Sequence, residues 1–126
     1  MGAYDPQVPA KRPGKSPSDA PRYRVLVHHR YLDAWNQLVT RVGLQQAQQF
    51  WDHVAQDPGN KTGIASTSIL KGSAGRPKER GFSRTYHYEL TSMARINYQF
   101  CDSYQTSEDG DPHRVVFILT IDYTSH

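Results

Sequence analysis

The sequence has a single cysteine, Cys101, and no long apolar run. One cysteine cannot form an internal disulfide or a cysteine-based zinc cluster, so the chain needs no oxidising compartment. The longest apolar runs cover only a few residues, as at 115–119, whereas a membrane-spanning helix needs about 20. Residues 1–22 also lack the apolar stretch of a secretory signal. These absences lead us to expect a cytoplasmic protein that does not insert into a membrane.

Basic side chains are concentrated in the middle of the chain. Residues 61–95 carry seven basic and two acidic side chains, a local net charge of +5, although the whole chain carries only +3. Lys and Arg side chains that neutralise phosphates release condensed counterions, so this distribution favours a polyanionic partner such as a nucleic acid. A solvated basic loop without such a partner is the alternative interpretation.

The chain divides into an N-terminal arm, residues 1–22, and one domain, residues 23–126. The arm holds five prolines and few residues that would be buried, which predicts disorder. In the domain, apolar residues recur at helical spacing over 32–42 and again over 44–55. Gly43 lies between these stripes and is suited to a left-handed C-terminal cap. Two short helices joined as a hairpin are therefore predicted.

Beyond residue 60 the apolar pattern changes from helical to alternating, which indicates strands. Strands are predicted at 23–28, 85–90, 94–101 and 114–124, with a further strand or an extended arm at 64–70. The segment 71–81 is a basic loop that contains three glycines. This order predicts an α+β domain, with an N-terminal strand and a two-helix hairpin packed on one face of a three- to four-stranded antiparallel sheet.

Side-chain parity predicts how the central hairpin pairs. If residues 91–93 form a three-residue turn, Leu90 pairs with Ala94, and Tyr88 pairs with Ile96 on the face beneath the helices. Polar side chains then share the opposite face of three strands: His87, Glu89, Arg95, Asn97, Gln99, Thr120, Asp122, Thr124 and His126. Glu89 would lie beside Arg95 and His87 beside Asn97. The last strand is apolar on both sides at its start, so we expect it to be central.

This polar face has the residue types that metal-independent RNA cleavage requires. The reaction needs a base for the 2′-hydroxyl proton, a cation for the charged phosphorane and an acid for the leaving oxygen. His126 or Glu89, Arg95 and His87 are the candidates for these three roles, and no metal or cofactor is expected. The alternative is a cross-strand ion pair between Glu89 and Arg95 beside solvated histidines. The candidate RNA-binding residues belong to the basic loop and its end: Lys71, Arg76, Lys78, Arg80 and Arg84.

Several short motifs resemble one family of bacterial proteins. They are Leu70-Lys71-Gly72, Gly81-Phe82-Ser83-Arg84, Arg95-Ile96-Asn97-Tyr98 and the terminal Asp122-Tyr123-Thr124-Ser125-His126. Together they resemble the RelE/ParE superfamily of toxins, and within it the YoeB and RelE ribosome-dependent mRNA interferases. The resemblance implies two helices against a four-stranded antiparallel sheet. It also implies that Arg95 contacts the reacting phosphate and that His126 takes part in catalysis.

The resemblance implies a function as well. It indicates the toxin of a type II toxin-antitoxin pair, which cleaves mRNA on the ribosome by 2′-hydroxyl attack and is held inactive by a cognate antitoxin protein. In this assignment Glu89 accepts the proton and His126 acts as acid or stabilising cation. RelE-type members carry lysines on the strand that here holds His87 and Glu89. A non-catalytic RelE/ParE-fold protein that binds nucleic acid or DNA gyrase is the alternative, and a plain protein-interaction domain is a third.

Overall fold

The computed structural model describes residues 4, 6–16, 20–60, 66–106 and 110–123. Within these residues the chain is α+β, with six strands and three α-helices. The strands are β1 (Gln7–Pro9), β2 (Arg24–His28), β3 (Ser66–Ile69), β4 (Tyr86–Thr91), β5 (Ala94–Tyr104) and β6 (His113–Tyr123). The helices are α1 (Leu32–Asn36), α2 (Leu38–Val42) and α3 (Leu44–Gln56), and short 3-10 helices lie at His29–Tyr31 and Gly72–Gly75.

The strands form one mixed sheet in the order β1-β2-β6-β5-β4-β3. Strands β2 and β6 pair in parallel, with Leu26 opposite Phe117, and the other pairs are antiparallel. The prediction of a three- to four-stranded antiparallel sheet is therefore wrong in strand number and in one strand direction. Each of the three connections between β3 and β6 reverses the chain direction, so β6 runs antiparallel to β3. The path through the helices brings β3 in antiparallel to β2, and β6 is therefore parallel to β2. Side-chain alternation does not report that direction.

The helices cover one face of the sheet. The stripe predicted as one helix over 32–42 is divided at Gln37. The backbone N–H of Gln37 donates to carbonyls of α1 and caps the C-terminal end of that helix. Gly43 ends α2 with φ of +91°, a conformation open to glycine, and α3 follows immediately. Phe50 and Val54 of α3 are fully buried in the main core. No helix among the described residues is long and apolar enough to cross a membrane.

The register predicted for the β4–β5 hairpin is confirmed along most of its length. Tyr88 pairs with Ile96, Glu89 with Arg95 and His87 with Asn97. The turn differs, because Ala94 pairs with Thr91 and the register shifts between Glu89 and Thr91. The extra residue, Leu90, remains buried at 5% exposure. The bulge therefore keeps an apolar side chain in the core and leaves a two-residue turn.

Part of the N-terminal segment packs on the domain. Strand β1 extends the sheet beside β2. The indole Nε1 of Trp51 donates a hydrogen bond of 2.8 Å to the carbonyl of Ala10, and that of Trp35 donates one of 3.1 Å to the carbonyl of Lys11. Ala10 is only 3% exposed. Two largely buried indole N–H groups thus have their hydrogen-bond acceptors in an N-terminal segment that the sequence predicted to be disordered.

An ion pair fixes the same segment further along the chain. Arg12 donates from Nε to Asp52 Oδ1 at 2.8 Å and from its terminal nitrogen to Oδ2 at 3.0 Å, a bidentate contact with α3. Gln48 of α3 also donates to the Pro13 carbonyl at 2.9 Å. The expectation of a disordered arm is therefore incorrect for residues 7–13. Proline content predicted little regular structure but did not report these contacts.

Candidate nucleic-acid interface

The face of the sheet opposite the helices carries the predicted polar cluster. Strand register brings together polar side chains of β4, β5 and β6: His87, Glu89, Arg95, Asn97, Thr120 and Asp122. Glu89 and Asp122 occupy the positions on either side of Arg95, and His87 and Thr120 those on either side of Asn97. The sequence therefore predicted this grouping correctly. The predicted members Thr124 and His126 lie outside the described residues.

His87 is held by its cross-strand neighbour. Its Nδ1 lies 2.7 Å from the amide oxygen of Asn97, so the Nδ1–H donates to that oxygen in this tautomer. Its Nε2 lies 3.9 Å from Glu89 Oε1, a distance that supports an ion pair when the ring is protonated. The His87 side chain is 24% exposed and that of Glu89 is 41% exposed. Both groups are accessible to a bound molecule.

Arg95 occupies the middle of this polar cluster. It is half-buried on β5, and its register partners are Glu89 on β4 and Asp122 on β6. Acidic residues therefore occupy the register positions on both sides of this arginine. The sequence singled out Glu89 as the neighbour of Arg95, whereas it placed Asp122 only on the polar face. Side-chain parity gives the face of β6 but not its register against β5, because the loop that joins them is long.

The predicted RNA-binding residues lie on the segment that connects β3 to β4: Lys71, Arg76, Lys78, Arg80 and Arg84. Gln99 of β5 holds this basic loop against the polar face of the sheet. Its Oε1 accepts from the Lys78 amide at 2.9 Å, and its Nε2 donates to the Arg76 carbonyl at 2.9 Å and to Thr85 Oγ1 at 3.0 Å. Gln99 is 1% exposed, so it is a structural anchor and not a contact surface.

Arg84 has a structural role that the sequence did not indicate. Its Nε donates to the Leu70 carbonyl at 3.1 Å, and its terminal nitrogen donates to the Gly72 carbonyl at 2.8 Å. Gly75 lies against this contact, since a Cβ at Gly75 would come within 2.0 Å of the Leu70 carbonyl oxygen. Two of the five N–H donors of Arg84 are therefore directed at its own loop. Arg76, Lys78 and Arg80 are the better candidates for phosphate contacts.

A small second core supports the loop from below. Phe82 packs with Cys101, Phe117, Val115 and Leu26 on the face opposite the helices. The Lys78 ammonium lies 6.0 Å from the centre of the Phe117 ring. Cys101 is buried at 4% exposure and packs in this core as a small residue. The backbone of the loop is thus fixed to the polar face of the sheet by packing as well as by hydrogen bonds.

Comparison with known proteins assigns no relative to this arrangement. No protein-family model, no curated protein and no solved structure matches the chain. Within the described residues there is also no group of three or more His, Cys, Asp or Glu side chains that could hold a metal ion. The function is therefore argued from the site itself.

Proposed function

We propose that this protein is the toxin of a type II toxin-antitoxin pair and cleaves mRNA on the ribosome by 2′-hydroxyl attack. The observation that carries the proposal is the juxtaposition of Arg95, Glu89 and His87 on two adjacent strands, beside an anchored basic loop. A cation, a carboxylate and an imidazole are the groups that RNA cleavage without a metal requires. The motifs that resemble the RelE/ParE superfamily support the same assignment.

The roles follow from the chemistry of each group. Glu89 accepts the proton of the 2′-hydroxyl as the 2′-oxygen forms a bond to phosphorus. Arg95 stabilises the negative charge on the phosphorane. The bond from phosphorus to the 5′-oxygen then breaks, and His87 or His126 supplies the proton to that leaving oxygen. The products are a 2′,3′-cyclic phosphate and a 5′-hydroxyl.

The basic loop supplies attraction for the substrate. Arg76, Lys78 and Arg80 lie on a loop that is fixed to the sheet by Gln99. Phosphate contacts of this kind are independent of base sequence. They weaken as the salt concentration rises, because the release of counterions into solution is then less favourable. The proposed partners of this protein are the ribosome, mRNA and an antitoxin with an acidic segment that covers this surface. The proposed location is the cytoplasm.

One observation favours a second candidate function. The two register partners of Arg95, Glu89 and Asp122, are both acidic. Their negative charge opposes the approach of a phosphate to the guanidinium. A non-catalytic protein that binds nucleic acid or DNA gyrase through the basic loop alone does not require a phosphate to approach Arg95.

Sequencing of RNA 5′ ends after brief expression in a bacterium tests the proposal. The proposal predicts new ends in phase with codons, which disappear when the gene carries Arg95→Ala. Blocked DNA supercoiling without new RNA ends supports the second candidate. Lys78→Ala and Arg80→Ala serve as a matched pair, because each removes one loop cation and should weaken ribosome binding in a salt-dependent way.

A further inference from the structure

A cleft of about 490 Å³ lies between the N-terminal segment and the first two helices, away from the polar cluster. We call it the N-terminal cleft. It is lined by Val8, Pro9, Lys11, Arg12, Pro13, Leu32, Trp35, Asn36 and Val39. Its volume falls within the range of about 300 to 1,000 Å³ that is usual for small-molecule sites. The site exists because residues 8–13 pack on the domain.

The wall of the cleft is apolar and includes an aromatic ring. Trp35 is 5% exposed, and its indole N–H is already engaged by the Lys11 carbonyl, so the ring is held in place. Leu32 is half-buried beside it, whereas Val39 remains 40% exposed at the rim. Binding of an apolar group over the exposed valine and the fixed indole would remove apolar surface from water, which is favourable.

The polar groups of the cleft favour an anion. Lys11 and Asn36 are both exposed and line the same cleft, which gives it an ammonium group and an amide that can donate. Arg12 also lines the cleft, but its guanidinium is paired with Asp52. None of the described residues that line the cleft is acidic. A ligand with one negative charge is therefore complementary to the rim.

We propose that the N-terminal cleft binds a small carboxylic acid with an aromatic or branched apolar body. The body packs against Trp35, Leu32 and Val39, and the carboxylate accepts from Lys11 and Asn36. Such a ligand contacts both the N-terminal segment and α1, so it stabilises the packed position of residues 8–13 by mass action. This site is independent of RNA cleavage.

A matched pair of probes tests the proposal, 4-phenylbutyrate and its neutral analogue 4-phenylbutanol. Binding is followed by amide chemical shifts and by the fluorescence of the unmodified chain, whose two tryptophans are Trp35 and Trp51. The acid should bind about five-fold more tightly than the alcohol, the scale of one partly exposed charge pair. Lys11→Met should remove that preference, and Val39→Glu should weaken the acid more than the alcohol. Lys78→Met, on the opposite face, should leave both affinities unchanged.

Four results would overturn the proposal. The first is equal binding of acid and alcohol to the unmodified chain, or binding of neither. The second is an acid preference that survives Lys11→Met. The third is a set of shifted amides in the basic loop and not around Trp35, which would assign the anion to the other face. A dimer whose interface buries Val39 would assign the cleft to a second copy of the chain and would equally contradict a small-molecule site.

Discussion

The Nδ1 of His87 lies 2.7 Å from the amide oxygen of Asn97, its partner across the β4–β5 hairpin. This contact fixes the plane of the imidazole and assigns the proton of the neutral ring to Nδ1. The other nitrogen, Nε2, then points towards Glu89 at 3.9 Å and is the one available for proton transfer to a bound molecule. Asn97 is therefore a positioning residue for His87.

Replacing Asn97 with alanine tests this relationship. Asn97→Ala should lower cleavage about ten-fold, a fraction of the 10²–10⁴ that general acid–base catalysis contributes, because His87 remains but loses its orientation. The pH profile of cleavage should shift as well, whereas Asn36→Ala, on α1, should change neither. In vitro cleavage of ribosome-bound mRNA at a series of pH values measures both effects. An unchanged profile would contradict the positioning role.

Gln99 should control the stability of the basic loop. Gln99→Leu keeps the side-chain volume but leaves the Lys78 amide, the Arg76 carbonyl and Thr85 Oγ1 without their present partner. An unsatisfied buried group costs about 1–3 kcal/mol, and only the Thr85 contact is fully buried while the other two are partly buried. We therefore expect the unfolding free energy to fall by about 2–4 kcal/mol. Urea denaturation measures the loss, and Gln45→Leu on the exposed side of α3 provides the control, with a change within about 0.5 kcal/mol. Equal losses for the two variants would refute the anchoring role of Gln99.

The sequence predicted the features that side-chain periodicity controls. The pairs Tyr88–Ile96 and Glu89–Arg95 follow from alternation, since a one-residue slip would turn the buried set to solvent. The change of chain direction at Gly43 follows from its lack of a Cβ. The polar face of the candidate site was therefore predictable. The roles of its members were not, because parity does not separate an exposed ion pair from a catalytic one.

The features that escaped prediction depend on contacts between distant segments. Residues 7–13 are positioned by hydrogen bonds from the indoles of Trp35 and Trp51, which lie more than twenty positions away in the sequence. The parallel pairing of β2 with β6 depends on the path through the helices. The requirement of two largely buried indoles for hydrogen-bond acceptors was the one signal in the sequence that pointed to a covering segment.

The N-terminal segment should contribute measurably to stability. A chain that lacks residues 1–13 loses the β1–β2 pairing, the two indole hydrogen bonds and the burial of Ala10. At about 1 kcal/mol for each net hydrogen bond, its unfolding free energy should fall by at least about 2 kcal/mol. Arg12→Met should cost no more than about 1 kcal/mol, because the Asp52 partner is partly exposed. Chemical denaturation of the three proteins checks the order, and full stability of the shortened chain would contradict this packing.

Stability should decline in alkali partly through Tyr23. Burial, together with the hydrogen bond that its hydroxyl donates to Asp102, raises the pKa of Tyr23 to about 12. An unfolded tyrosine has a pKa of about 10, so the folded state binds more protons between these values. The contribution is complete below about pH 10 and is lost as the pH rises towards about 12. Urea midpoints at about pH 9 and about pH 11 should therefore differ less for Tyr23→Phe than for the unmodified chain, and an equal difference would show that Tyr23 is not linked to folding.

The cleavage rate of the Arg95→Ala protein on ribosome-bound mRNA tests the central claim most directly. Arg95 is the second residue of β5 and lies on the polar face between β4 and β6, and we assign it the stabilisation of phosphorane charge. Loss of one such stabiliser costs about 10²–10³ in rate, so cleavage should fall at least about 100-fold while ribosome binding persists. Arg95→Lys, which retains the charge but not the planar fork, should be intermediate. Undiminished cleavage by Arg95→Ala, or no cleavage by the unmodified protein, would contradict this assignment.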